Sequence, residues 1–176
     1  MGLPVINVPT YELTIPSSKE KLTFRPFLVK EEKILLLALE DGSVGALNQS
    51  LKQIVNNCTF DKVEVNKMAT FDLEYIFLRI RAKSVGETST INVLAEDDGE
   101  TYVPDDVPLE EIEVDFPQDH TNDVKLTDTI GVTFRYPTYE TLDKMDNLDE
   151  ESGIERVFAL MAECVDKVYD LSLIHI

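Results

Sequence analysis

A chain of 176 residues, 43% of them hydrophobic, carries enough apolar surface for a globular core and is not compositionally disordered. Its 34 acidic residues outnumber 16 basic ones, and a net charge of −18 argues against binding to nucleic acid or an anionic membrane, both of which need a basic stripe to displace counterions; a protein is the expected partner. Nothing in the sequence reads as a signal peptide or as a run long enough to cross a bilayer, and Cys58 and Cys164, far apart and without neighbouring Cys or His, read as buried thiols in a reducing compartment.

Tyr11, Leu13 and Ile15 alternate with polar residues, Pro16-Ser17-Ser18 interrupts, and Leu22 and Phe24 alternate again, which predicts a β-hairpin. Pro26 ends its second strand, because it lacks the N–H a central strand needs. From Leu28 to Glu40 the period turns helical, and the apolar run Ile34 to Leu39 is so wide that this helix is expected to be central. Asp41-Gly42 stops it, with Gly42 suited to a left-handed cap. A second helix presents Leu47, Leu51, Ile54, Val55 and Cys58 on one face, with Gln49, Lys52, Gln53 and Asn56 covering the other. The third helix runs from about Phe71 to Ser84, with Asp72 and Glu74 at its start and Arg79, Arg81 and Lys83 at its end, the distribution a helix dipole favours; Gly86 stops it.

Beyond Gly86 the character changes, and between Glu87 and Gly153 there are 20 acids against Lys125, Arg135 and Lys144. Ile91 and Val93, a turn at Asp98-Gly99, a return at Tyr102 and Val103, an alternation at Ile112, Val114 and Phe116, and a short strand around Val132 and Phe134 predict a small antiparallel sheet with charged outer faces. The last helix carries Ile154, Val157, Phe158, Met161, Cys164, Val165 and Val168 as one stripe, and Ser152 with Glu155 has capping-box spacing. Residues 171–176, LSLIHI, are what the codons CTG TCT CTT ATA CAC ATC encode, which resembles a transposase end sequence used in sequencing-library preparation; the natural protein is then expected to continue beyond Asp170, the alternative being a genuine helix end. The expected organisation is α+β: residues 1–87, a hairpin plus three-helix core; 88–150, an acidic, mostly antiparallel β section; 151–170, a C-terminal amphipathic helix; and 171–176, the adapter translation.

Reactive constellations are scarce. With the terminal residues set aside, His120 is the only histidine, so no Ser-His-Asp or Cys-His arrangement can be assembled, and there is no phosphate loop or His-x-x-x-His element. Glu96, Asp97, Asp98 and Glu100 around Gly99 are the best calcium candidate, but they fit an exposed hairpin turn equally well and lack the 12-residue loop register. No catalytic residue, cofactor or metal is expected.

Three blocks carry a resemblance: TIPSSKEKLTFRPFLVKEEKILLLALE at Thr14 to Glu40, LKQIVNNCTF at Leu51 to Phe60 and FDLEYIFLRIRAKSVGE at Phe71 to Glu87. In order and spacing they resemble the T4-like bacteriophage baseplate hub assembly family, over roughly the first half of the chain. The resemblance implies no catalytic residues. It implies a hub component or a factor that helps the hub of a contractile tail assemble, with other baseplate and tail hub proteins as partners, in the host cytoplasm during assembly and in the virion tail baseplate. Paired cysteines carried by some relatives after the VGE element are absent, which tells against a metal ribbon. Motif residues too polar for a core, Arg25, Lys30, Glu31, Arg79, Arg81 and Lys83, are the expected partner contacts, although the last three also fit a favourably charged helix end. An acidic assembly chaperone absent from the mature virion and a carboxylate- or metal-dependent enzyme remain as competing readings; oligomeric state is open.

Overall fold

The computed structural model describes residues 8–94, 101–146 and 153–171. Those residues form two compact units, one within 8–65 and 71–114 and one within 66–70 and 115–171. Among the described residues five helices and seven strands in small antiparallel sheets make the fold α+β.

The first unit opens with the hairpin of β1 (Tyr11–Thr14) and β2 (Lys21–Phe24), registered Tyr11 to Phe24 and Leu13 to Leu22. Period-2 alternation buries Leu13, Leu22 and Phe24, the core-facing set. α1 (Val29–Asp41) ends at Gly42, whose φ of 72° is the left-handed cap the sequence predicts. α2 (Val44–Cys58) starts on Ser43, whose hydroxyl accepts the Ala46 amide at 3.2 Å. Its stripe supplies Ile54, Val55 and Cys58 to the core, and α3 (Thr70–Ser84) adds Leu73, Ile76 and Ile80, all six without exposed surface. β3 (Thr88–Leu94) and β4 (Tyr102–Pro108) then pair as a largely exposed antiparallel ribbon; the turn predicted at Asp98-Gly99, with the calcium candidate around it, lies outside the described residues.

Two expectations about this unit are corrected. α1 is not central: it packs on α2 and buries Ala38 and Glu31, while Leu36, Leu37 and Leu39 stand 54–59% exposed on its outer side. Lys52, assigned to the polar face of α2, is instead buried.

The second unit holds a three-stranded sheet, β5 (Asp123–Lys125), β6 (Ile130–Phe134) and β7 (Val165–Asp170), with β6 in the middle. α4 (Tyr139–Asp146), not anticipated from the residue pattern, is capped by the Thr138 hydroxyl at the Thr141 amide, and α5 (Gly153–Glu163) follows. The acidic section is thus two separate sheets and not one. Residues 112–116 are not a strand. The predicted last helix ends at Glu163, and Val165 and Val168 lie in β7, paired antiparallel to β6 across a register shift at Thr133/Phe134. Ser152, the expected cap, and the residues after Leu171 are outside the described residues.

Candidate functional site

The six polar motif residues sort by what each side chain touches. Arg25, just past β2, is 8% exposed and Glu31, in the first turn of α1, is 0% exposed. The Arg25 guanidinium donates from Nη2 to Glu31 Oε1 at 3.1 Å and from Nη1 to the Pro26 carbonyl at 2.9 Å, while its own amide donates to the Cys58 carbonyl. Glu31 Oε1 also accepts from Lys30 Nζ at 3.2 Å and Asn57 Nδ2 at 3.4 Å, and Oε2 accepts the Leu28 amide at 2.9 Å, satisfying an otherwise orphaned helix donor. Burial pushes the Glu31 carboxyl up, but the hydrogen bonds from Arg25, the Leu28 amide and Lys30 outweigh it and hold the group below its ordinary value. Beside it, burial pushes the Cys58 thiol up to about 11, which keeps it protonated and unreactive. One carboxylate therefore ties together the end of β2, the start of α1 and the last turn of α2. Lys30 is the member of the cluster that reaches solvent, with 64% of its side chain exposed.

The second group lies on α3. Arg79 donates to the carbonyls of Leu109, Glu110 and Ile112 and to the Tyr75 hydroxyl, with its guanidinium 4.7 Å from the Tyr75 ring centroid. Of the segment expected as a strand, the Ile112 carbonyl is thus taken by a side chain and not by a ladder partner. Lys83 pairs with Glu87 at 2.9 Å and with Glu110, and these hydrogen bonds raise its pKa. Arg81 reaches Ser89 at 3.4 Å through Nη2, while its Nη1 is buried with no hydrogen-bond partner among the described residues. Tyr11, Leu13, Tyr75, Arg79, Lys83 and Glu110 help line a cleft of about 230 Å³. The geometry thus puts Arg25, Lys30 and Glu31 in one cluster and Arg79 and Lys83 along another, with Arg81 apart.

Sequence reasoning missed three features. Asp72, assigned to the helix dipole, is buried and accepts both the Ser17 amide, at 3.0 Å, and the Ser17 hydroxyl, pinning the hairpin turn to α3. Ser84 donates to the Ile80 carbonyl and accepts the Phe27 amide at 2.9 Å, fixing the segment between β2 and α1. The third is an inversion in which Arg25 and Glu31 turn inward while Leu36, Leu37 and Leu39 of ILLLALE turn outward. The signal available for it was the excess of apolar residues in α1, more than one buried face can use.

His120 is exposed, stacks on Tyr136 with ring centroids 5.8 Å apart and shares a 2.6 Å hydrogen bond with its hydroxyl. Among the described residues no cluster of His, Cys, Asp and Glu is arranged to hold a metal ion, and no helix is long and apolar enough to cross a membrane. What the surface offers is contact area: Val29, Leu36, Leu37 and Leu39 on α1 with Val44 at the start of α2.

A comparison with protein families matches residues 8–173 to the one described as T4 bacteriophage base plate protein. No curated protein and no solved structure matches the chain.

Proposed function

The chain belongs to the T4 bacteriophage base plate protein family, and from that membership we propose that it serves tail morphogenesis as a component of the baseplate hub or as a factor that assembles it, through protein–protein contact and without catalysis. As a baseplate protein it has other phage tail proteins as its partners. The observation that carries the reading is the exposed apolar face of α1, Leu36, Leu37 and Leu39 with Val29 and Val44 beside them, inside the matched region. Full burial of a large aliphatic side chain is worth about 1.5–3 kcal/mol, and these leucines, 54–59% exposed, leave about half of that each for a partner surface to recover. Lys30 lies on the same helix with most of its side chain in solvent and is the motif cation best placed to meet that partner directly. Arg25, Glu31, Arg79, Arg81 and Lys83 support the contact from behind by holding α1 and α3 in position. In this reading assembly takes place in the host cytoplasm.

Quantitative mass spectrometry of purified particles beside the infected-cell lysate, following peptides that span Asp72 to Arg79, tests it. A fixed ratio to other baseplate proteins in particles supports a hub component. Abundance in the lysate in complex with tail proteins, with none in particles, supports an assembly factor. No association with tail proteins in either fraction, or association unchanged by Leu36→Ser with Leu39→Ser, overturns the proposal.

A further inference from the structure

The second unit carries an apolar surface of its own. Ile154, Val157, Phe158 and Met161 fall at offsets 0, 3, 4 and 7 along α5, one helical face, and are 48–70% exposed. α5 has no buried residue, although its composition is that of a core-facing helix. Val157 and Phe158 sit side by side at the middle of this stripe, which contains no charged residue.

The spacing specifies the shape of the occupant and the charge its sign. Apolar anchors repeating at three and four residues are met by another amphipathic helix presenting the same repeat. Over residues 66–70 and 115–176 the second unit has 14 acids and 6 bases, a net charge of −8. A second copy would bring the same stripe with the same −8, so screened repulsion opposes self-pairing, whereas a helix with Lys and Arg on its polar face gains on approach. We propose that the α5 face is a docking site for a basic amphipathic helix of another protein. It is a different surface from the α1 face, which belongs to the first unit.

The test uses the whole chain and two synthetic 18-residue helical peptides with the same leucine spacing, one with lysines on its polar face and one with glutamates, read by fluorescence anisotropy at low and high salt. The Leu/Lys peptide binds saturably and more weakly as salt rises. Val157→Ser with Phe158→Ser removes two of the four apolar anchors and weakens it by about tenfold or more. Leu36→Ser with Leu39→Ser on α1 leaves it unchanged, so failure of this site and failure of the hub reading are separable. Circular dichroism checks the fold of each variant, and Ile154→Ser with Met161→Ser gives a second, independent reading of the same face. Absence of saturable Leu/Lys binding, equal binding of the Leu/Glu peptide, or an affinity untouched by both α5 variants overturns the proposal. So does self-association of the peptide-free chain that the α5 variants abolish, which would make a second copy the occupant.

Discussion

Glu31 has no exposed surface, yet its carboxylate receives four donors: Arg25 Nη2, Lys30 Nζ, Asn57 Nδ2 and the Leu28 amide. Removing one member of a buried pair leaves the other's charge without compensation, and that penalty exceeds what the pair contributes over an apolar substitute. Glu31→Gln keeps the shape but not the charge, and is expected to lower the stability of the fold by about 2 kcal/mol at neutral pH. The pH dependence has a definite sign. A carboxyl whose folded pKa lies below its unfolded one contributes stability that is complete above the unfolded value and is lost as pH falls through the folded one. Thermal melts of the two proteins should therefore differ most near neutrality and converge as pH drops through the carboxylate range; a gap that does not change with pH would mean that ionisation of Glu31 is not what stabilises the fold. The partner of Glu31 could not be read from sequence. Arg25 and Glu31 are six residues apart across a chain turn at Pro26, and no periodicity connects the end of a strand to the first turn of the next helix.

At the level of elements, β7 is held by a glycine. In the β5-β6-β7 sheet Gly131 on β6 faces Tyr169 on β7, and a Cβ at Gly131 would stand 2.2 Å from the Tyr169 hydroxyl oxygen. The ring lies over the glycine and its hydroxyl donates to Asp123 Oδ1 on β5 at 2.8 Å, so one side chain spans all three strands. Gly131→Ala should displace the ring and cost about 1 kcal/mol, while in a Tyr169→Ala background the same change should be near neutral or stabilising, since alanine loses less chain entropy than glycine in a strand. Equal effects in both backgrounds, measured by denaturant melts, would remove the ring from this role. The same sheet explains a misreading. Cys164, Val165 and Val168 continue the 3.6-residue stripe of α5 in the sequence, but β6 offers a hydrogen-bonding edge, and β-branched valines with Tyr169 suit a strand as well as a helix. The hairpin, the three helices of the first unit and Gly42 were legible because each rests on a local period or cap. The fates of residues 112–116 and 165–170 were not, because Arg79, which binds the Ile112 carbonyl, and β6, which pairs with residues 165–170, are distant in sequence.

For the molecule as a whole, burial divides unevenly between the two units. Ile54, Val55, Cys58, Leu73, Ile76 and Ile80 in the first unit have no exposed surface, whereas the buried apolar residues of the second, Ala69, Tyr139, Met145 and Cys164, each retain 6–9%. α5 contributes no fully buried side chain, and its apolar stripe faces water. Opening free energies follow apolar burial, so the second unit should open without the first. In native-state hydrogen exchange the α3 amides of Leu73, Ile76 and Ile80 should be released only by global unfolding, with a denaturant dependence equal to that of the equilibrium melt. Amides of α5 and β7 should exchange about tenfold faster or more, with a smaller denaturant slope. A single slope and a single free energy for both sets would mean that the units unfold together. The expected pattern joins stability to assembly: α5, which has no buried residue, is the element a basic helix would cover, and binding there should slow exchange in α5 far more than in α3.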